Sequence, residues 1–258
     1  MSHAEQAYAA RLFIWQTLHR LHGPGRSYPY AWRLPERARP LGRVPLRQAQ
    51  HALALDLYTL GRFKEAQATL PPAQEDEGIM ALARRLHLLL QNPAAAATHA
   101  APLPGPEARY LAYLADRAQD WPGVPSSGAT EPERLFSSLL DAWCRARRGH
   151  PLSLAVHRPV LARLGELHPS LAAQGEAVLA EALYWLAPRW ATVWLDHALN
   201  QVELFGQHHL KARLLGLKAS ALDGAGALGE GARIRKQARA LAERQGARLY
   251  LDRISKDR

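Results

Sequence analysis

The segment Leu57-Tyr58-Thr59-Leu60-Gly61-Arg62-Phe63-Lys64-Glu65-Ala66 holds a helix end and a helix start in one short run. Gly61 suits the left-handed position that closes a helix. Phe63 is placed to pack at the start of the next one, and Ala66, three residues on, lets the two helices approach closely. The run Gly226-Ala227-Leu228-Gly229-Glu230-Gly231 repeats the pattern, with Leu228 in place of the aromatic and Gly231 in place of the alanine. Weaker copies stand at Gly149-His150-Pro151 and Gln119-Asp120-Trp121.

Composition agrees with helices. The 258 residues include 47 Ala and 43 Leu against 4 Ile and 7 Val, which all but excludes extended sheet. From about residue 46 onward, helical segments alternate with breaks near Gly61, Pro71-Pro72, Asn92-Pro93, Pro102 to Pro106, Pro122 to Pro132, Gly149, Pro169, Pro188, Gly206, Gly224 to Gly226 and Gly246. Residues 4–22 read as a first helix, with Tyr8, Leu12, Trp15, Leu18 and His22 on one stripe. Residues 23–45 hold five Pro and three Gly, a density that predicts a long loop or arm. The expected division is 1–45, a helix plus arm, and 46–258, a helical-repeat domain.

The Gly61 and Gly226 units resemble the tetratricopeptide repeat, a helix–turn–helix unit of about 34 residues. The spacing between turns is irregular, so the repeats are degenerate. The resemblance implies an all-α, right-handed α–α superhelix of about ten to twelve helices with a concave binding face. In that register the groove-facing residues are Gln48, His51, Leu55 and Tyr58 in the first strong repeat, and Arg213 and Ser220 in the last. His208 to Tyr250 also resembles the last repeats in helical domains of bacterial multidomain transcriptional regulators, through Ala-Arg-Leu-Leu at 212–215, Gly226, Glu230 and residues 238–248.

The net charge of +10 is concentrated at the ends: residues 1–47 carry eight Arg against Glu5 and Glu36, and residues 206–258 twelve basic against five acidic groups. A basic surface attracts polyanions. Arg outnumbers Lys 28 to 5, which coding bias alone would also produce. In an open solenoid the two basic segments should form separate patches at opposite ends. Within the arm, Arg26, Arg33, Arg37, Arg39 and Arg43 interleave with Tyr28, Tyr30 and Trp32. The bland reading is a cap over the end of the array. The alternative is a single-stranded nucleic-acid site, with aromatics stacking on bases and Arg pairing phosphates.

Catalytic chemistry finds little support. Gly224-Ala225-Gly226-Ala227-Leu228-Gly229 matches a dinucleotide-binding text, but no strand precedes it. His19/His22 and His208/His209 lack the further ligand and carboxylate that helical zinc pairs need, so no metal site is expected. Cys144, between Trp143 and Arg145, reads as a buried apolar thiol. Glu75-Asp76-Glu77 reads as the acidic first turn of a helix, and Trp121, Trp143, Trp185, Trp190 and Trp194 as inter-helix core. No apolar run reaches the ~20 residues a bilayer requires, and no secretory signal is visible. The expectation is therefore a cytoplasmic, non-catalytic scaffold or adaptor without cofactor, metal or membrane association. Its expected partner is a protein or peptide on the concave face, with DNA or RNA bound by the basic ends as the alternative.

Overall fold

The computed structural model describes residues 2–71, 76–90, 106–119 and 129–256, and every regular element among them is a helix. In chain order these are α1 (His3–His22), α2 (Pro24–Ala31), α3 (Leu34–Ala38), α4 (Arg43–Thr59), α5 (Phe63–Thr69), α6 (Glu77–Leu90) and α7 (Pro106–Ala115). Then follow α8 (Glu131–Arg147), α9 (Leu154–Leu167), α10 (Pro169–Leu186), α11 (Ala191–Leu204), α12 (Lys211–Gly224), α13 (Leu228–Gln245) and α14 (Arg248–Lys256). Single 3-10 turns occupy Arg39–Leu41, Pro188–Trp190 and His208–Leu210. The breaks expected at Asn92-Pro93, Pro102 to Pro104 and Pro122 to Pro125 lie outside the described residues, as do Pro72, Glu75, Asp120 and Trp121.

The Gly61 turn is built as its sequence implies. Gly61 sits at φ +76°, its N–H donates to the Tyr58 carbonyl, and the Arg62 N–H donates to the Leu57 carbonyl at 2.8 Å. These are the two backbone bonds of a Schellman closure, which satisfies carbonyls the helix end would otherwise leave open. The same pair of bonds recurs at Gly149, Gly206, Gly226 and Gly246, and at Asp116, a non-glycine residue at φ +58°. Phe63 and Ala66 are fully buried. The Gly226 unit departs from expectation in one residue: Leu228 is exposed, so nothing there replaces the packed aromatic. Gly231 does replace Ala66, because a Cβ on it would lie 1.9 Å from Asp223 Oδ1 and 3.1 Å from the Ala219 carbonyl. The acidic first turn of α6 is a cap, with Asp76 Oδ1 accepting the Ile79 N–H at 3.1 Å.

The expected arm is helical. Pro24, Pro35 and Pro40 each fall in the first turn of a helix or 3-10 turn, where the missing N–H is no loss. Pro45 falls in the first turn of α4, so the expected boundary at 45/46 lies inside a helix. Ser27, Ala31, Leu34 and Ala38, at spacings of four, three and four, are buried and hold α2 and α3 against α4.

Helices adjacent in the chain pack on one another, α12 with α13 most extensively, and α10 packs on α8, two helices earlier. Gly175 lets α10 approach α8: a Cβ there would meet Leu139 Cδ1 at 2.7 Å. The contacts do not stop at neighbours. Helix α1 lies on α10, and α6 lies on α14. Gly23, at φ +72° and ψ −176°, passes so close to Phe205 that a Cβ on it would sit 1.9 Å from the Phe205 carbonyl oxygen. Gly61 lies against Gln245, and Gly246 against Lys64 and Leu90. Gly206 likewise lies against Pro24 and Gly25, so the N-terminal helices and the start of the C-terminal segment touch instead of lying at opposite ends.

Candidate functional site

The buried register of α2 and α3 dictates what faces out. With Ser27, Ala31, Leu34 and Ala38 turned to α4, the same helical spacing turns Arg26, Tyr30, Arg33 and Arg37 to solvent. Trp32 is 60% exposed and Tyr30 42%. Arg39 and Arg43 are exposed beside them. Arg11 of α1 joins Tyr28, Tyr30, Trp32, Arg33 and Arg37 around a shallow recess of about 610 Å³. Among the described residues Arg11, Arg26, Arg33, Arg37 and Arg39 make no ion pair, so their guanidinium groups are open to an anion.

A polar knot beneath this face fixes its position. Asp56 of α4 is fully buried and accepts from Trp15 Nε1 at 3.0 Å and from Ser27 Oγ at 2.9 Å, with His19 Nδ1 at 2.6 Å. One carboxylate thus ties α1 and α2 to α4. At the rim, Tyr28 is half-buried, its hydroxyl accepts from Arg62 Nη1 at 2.9 Å, and that guanidinium lies 5.4 Å from the ring centroid. Arg62 is in turn paired with Glu65, so Tyr28 belongs to the scaffold and not to the open face.

The residues expected to share a concave groove do not share a surface. Gln48 is exposed, while His51, Leu55 and Ser220 are half-buried. Tyr58 and Arg213 are core. The Tyr58 ring packs tilted against the His209 ring, centroids 4.8 Å apart, which the contact of α4 with the His208–Leu210 turn brings over it. The groove register assumes that each repeat touches only its neighbours, whereas His209 covers Tyr58, and Glu181 and Leu114 bury Arg213. Arg213 Nε and Nη2 donate to both oxygens of Glu181 at 2.8 and 2.6 Å, and its Nη1 donates to the Leu114 carbonyl at 3.1 Å. Burial opposes that charge, but Glu181 more than offsets it, so the guanidinium is held above its ordinary pKa.

Several residues weighed for chemistry have structural work instead. Burial, then the charge of Arg85, pushes the His209 imidazole down to about 3, and its Nε2 lies 2.8 Å from the Tyr110 hydroxyl. Cys144 is buried, which pushes its thiol up and disfavours the nucleophilic thiolate. Among the described residues no group of three His, Cys, Asp or Glu side chains is placed to hold a metal ion, and no helix is long and apolar enough to cross a membrane. Trp143 is fully buried, as a core residue should be, whereas Trp190 is 79% exposed at the tip of a 3-10 turn.

Sequence reading missed one site altogether: a cleft among α7, α10, α12 and α14, into which Arg147, Arg213 and Arg253 converge. No local signal could have shown it, because its members lie up to 139 positions apart. No family model, curated protein or solved structure matches the chain. Function must therefore be argued from these surfaces alone.

Proposed function

We propose that this chain is a non-catalytic binding protein that holds single-stranded nucleic acid on the Arg–aromatic face of α2 and α3. The observation that carries the proposal is the outward register of Arg26, Tyr30, Arg33 and Arg37, with Trp32 standing exposed beside them and, among the described residues, no carboxylate paired to these arginines. Guanidinium groups pair phosphates as planar forks, and exposed aromatic rings stack on unpaired bases. A duplex offers no free base faces, so the aromatic content favours single strands. The tetratricopeptide-like reading of α4–α5 and α12–α13 belongs to this proposal as its framework, supported by the Schellman turns at Gly61 and Gly226. A cytoplasmic setting belongs to it too, in keeping with the lone buried Cys144.

Fluorescence anisotropy with a labelled oligothymidylate across a salt series tests the proposal. Arg26→Gln/Arg33→Gln/Arg37→Gln should weaken binding and reduce the salt slope by about 2, roughly 0.7 per lost phosphate contact. Trp32→Ala should weaken binding at least fivefold without changing that slope. Failure of the parent to bind at low salt would end the proposal. A second reading, a protein or peptide partner, draws on a different observation: Trp190 and Val193 are exposed 79% and 73% at a spacing of three at the start of α11. Trp190→Glu would then abolish capture of that partner and leave oligothymidylate binding intact.

A further inference from the structure

The cleft among α7, α10, α12 and α14 has a volume of about 390 Å³, in the range of small-ligand sites. Three arginines line it, and their pairing is unequal. Arg213 is spent on Glu181 through two hydrogen bonds. Arg147 is spent on Asp116, Nε to Oδ1 at 3.2 Å, and its guanidinium lies 3.9 Å from the Trp185 ring centroid. Arg253 has no carboxylate among the described residues. Its single hydrogen bond runs from Nη2 to the Leu114 carbonyl at 2.8 Å, an acceptor it shares with Arg213.

That bond caps the C-terminal end of α7 and uses one of the five N–H groups a guanidinium carries. The rest of the fork is unspent. Burial and the neighbouring Arg213 charge push Arg253 down to about 10, as expected for a cation short of a counter-charge. The remaining acidic residue at the cleft, Asp252, is exposed. Around the charge the lining is apolar: Trp185, Leu217, Leu249 and Ile254. Among the described residues Arg253 is thus the one guanidinium of the cleft without a carboxylate at ion-pair distance, with Asp116 and Glu181 acting on it only from further off, and it stands beside an oily wall.

We propose that this cleft binds a small monocarboxylate with an apolar body, its carboxylate forked onto Arg253 and its body against Trp185 and Leu217. One guanidinium without an ion-pair partner matches one carboxylate, and the nearby Asp116, Glu181 and Asp252 disfavour a dianion such as a phosphate monoester. The fork geometry of guanidinium and carboxylate supplies orientation, and the apolar wall supplies affinity.

Isothermal titration of the full chain with acetate, butyrate, hexanoate and octanoate tests this, with hexanol and inorganic phosphate as controls. Affinity should rise about fourfold per methylene until the cavity is filled, with hexanol and phosphate at least tenfold weaker than hexanoate. Arg253→Gln should weaken every alkanoate at least tenfold, Arg253→Lys should restore part of it, and Leu217→Ala should flatten the chain-length dependence while sparing acetate. The Leu217→Ala series and the hexanol control stand even if Arg253→Gln fails to fold. Hexanol or phosphate equal to hexanoate would overturn the proposal, as would no heat from any alkanoate at millimolar concentration.

Discussion

Gly61 and Gly226 close helices in the same way, yet substituting them should cost different amounts. Both sit at positive φ, +76° and +85°, so alanine at either pays the left-handed penalty. That penalty, reduced by the lower entropy of the unfolded chain, amounts to about 1 kcal/mol. At Gly226 a Cβ would meet nothing within 4 Å, so about 1 kcal/mol is the whole effect. At Gly61 a Cβ would lie 2.3 Å from Gln245 Nε2. That amide must move, and with it goes its hydrogen bond to the His208 carbonyl at 2.9 Å, worth about 1 kcal/mol. Gly61→Ala should therefore cost about 2 kcal/mol, twice Gly226→Ala, in urea denaturation at constant m-value. The double-mutant cycle sharpens the test. In a Gln245→Ala background the steric conflict is gone, and Gly61→Ala should fall back to about 1 kcal/mol. Equal costs for the two glycines, or additivity with Gln245→Ala, would refute the argument and with it the contact between the Gly61 turn and the end of α13.

Asp56→Ala should cost about 3 kcal/mol, read as a fall in the urea midpoint, because it leaves the buried Trp15 indole, Ser27 hydroxyl and His19 ring without their shared acceptor. An unchanged midpoint would mean that α1 and α2 are not tied to α4 through this carboxylate. His209 sets an acid limit. Its folded pKa, about 3, lies below the ordinary 6.5, so the unfolded chain takes up a proton that the native one refuses. Stability from this group is complete above pH 6.5 and falls by about 1.4 kcal/mol for each pH unit below it. His209→Gln should lose less stability than the parent between pH 6.5 and 5.5; parallel curves would place a protonated imidazole in the core.

What the sequence showed and what it hid follow from range. Helix ends at Gly61, Gly149, Gly206, Gly226 and Gly246 were legible because a Schellman turn is made by adjacent residues. The helices of residues 24–38 were legible in principle: Ser27, Ala31, Leu34 and Ala38 keep a helical period. Proline density hides them, because Pro24, Pro35, Pro40 and Pro45 fall in first turns and only Pro29 lies inside a helix. The interleaved arginines and aromatics are legible as a pattern, but their place on one face of two helices is not, because the prolines among them read as a loop. Tyr58 and Arg213 read as groove residues only against their own repeats. Their partners, His209 and Glu181, stand 151 and 32 positions away, where no local pattern reaches. The Arg253 cleft was invisible for the same reason.

The close passage of Gly23 over Phe205 bears on how such a chain could change through evolution. An open helical array lengthens by duplicating a unit, since nothing beyond the neighbours notices. Here an extra helix pair between residues 23 and 205 would move two touching backbones apart by roughly a helix diameter, ~10 Å, and uncover both faces. Growth and loss should then be confined to connections between helices. A lineage of this fold would keep its helix number fixed while its loops varied in length, and the glycine at position 23 would be among the last residues it could exchange.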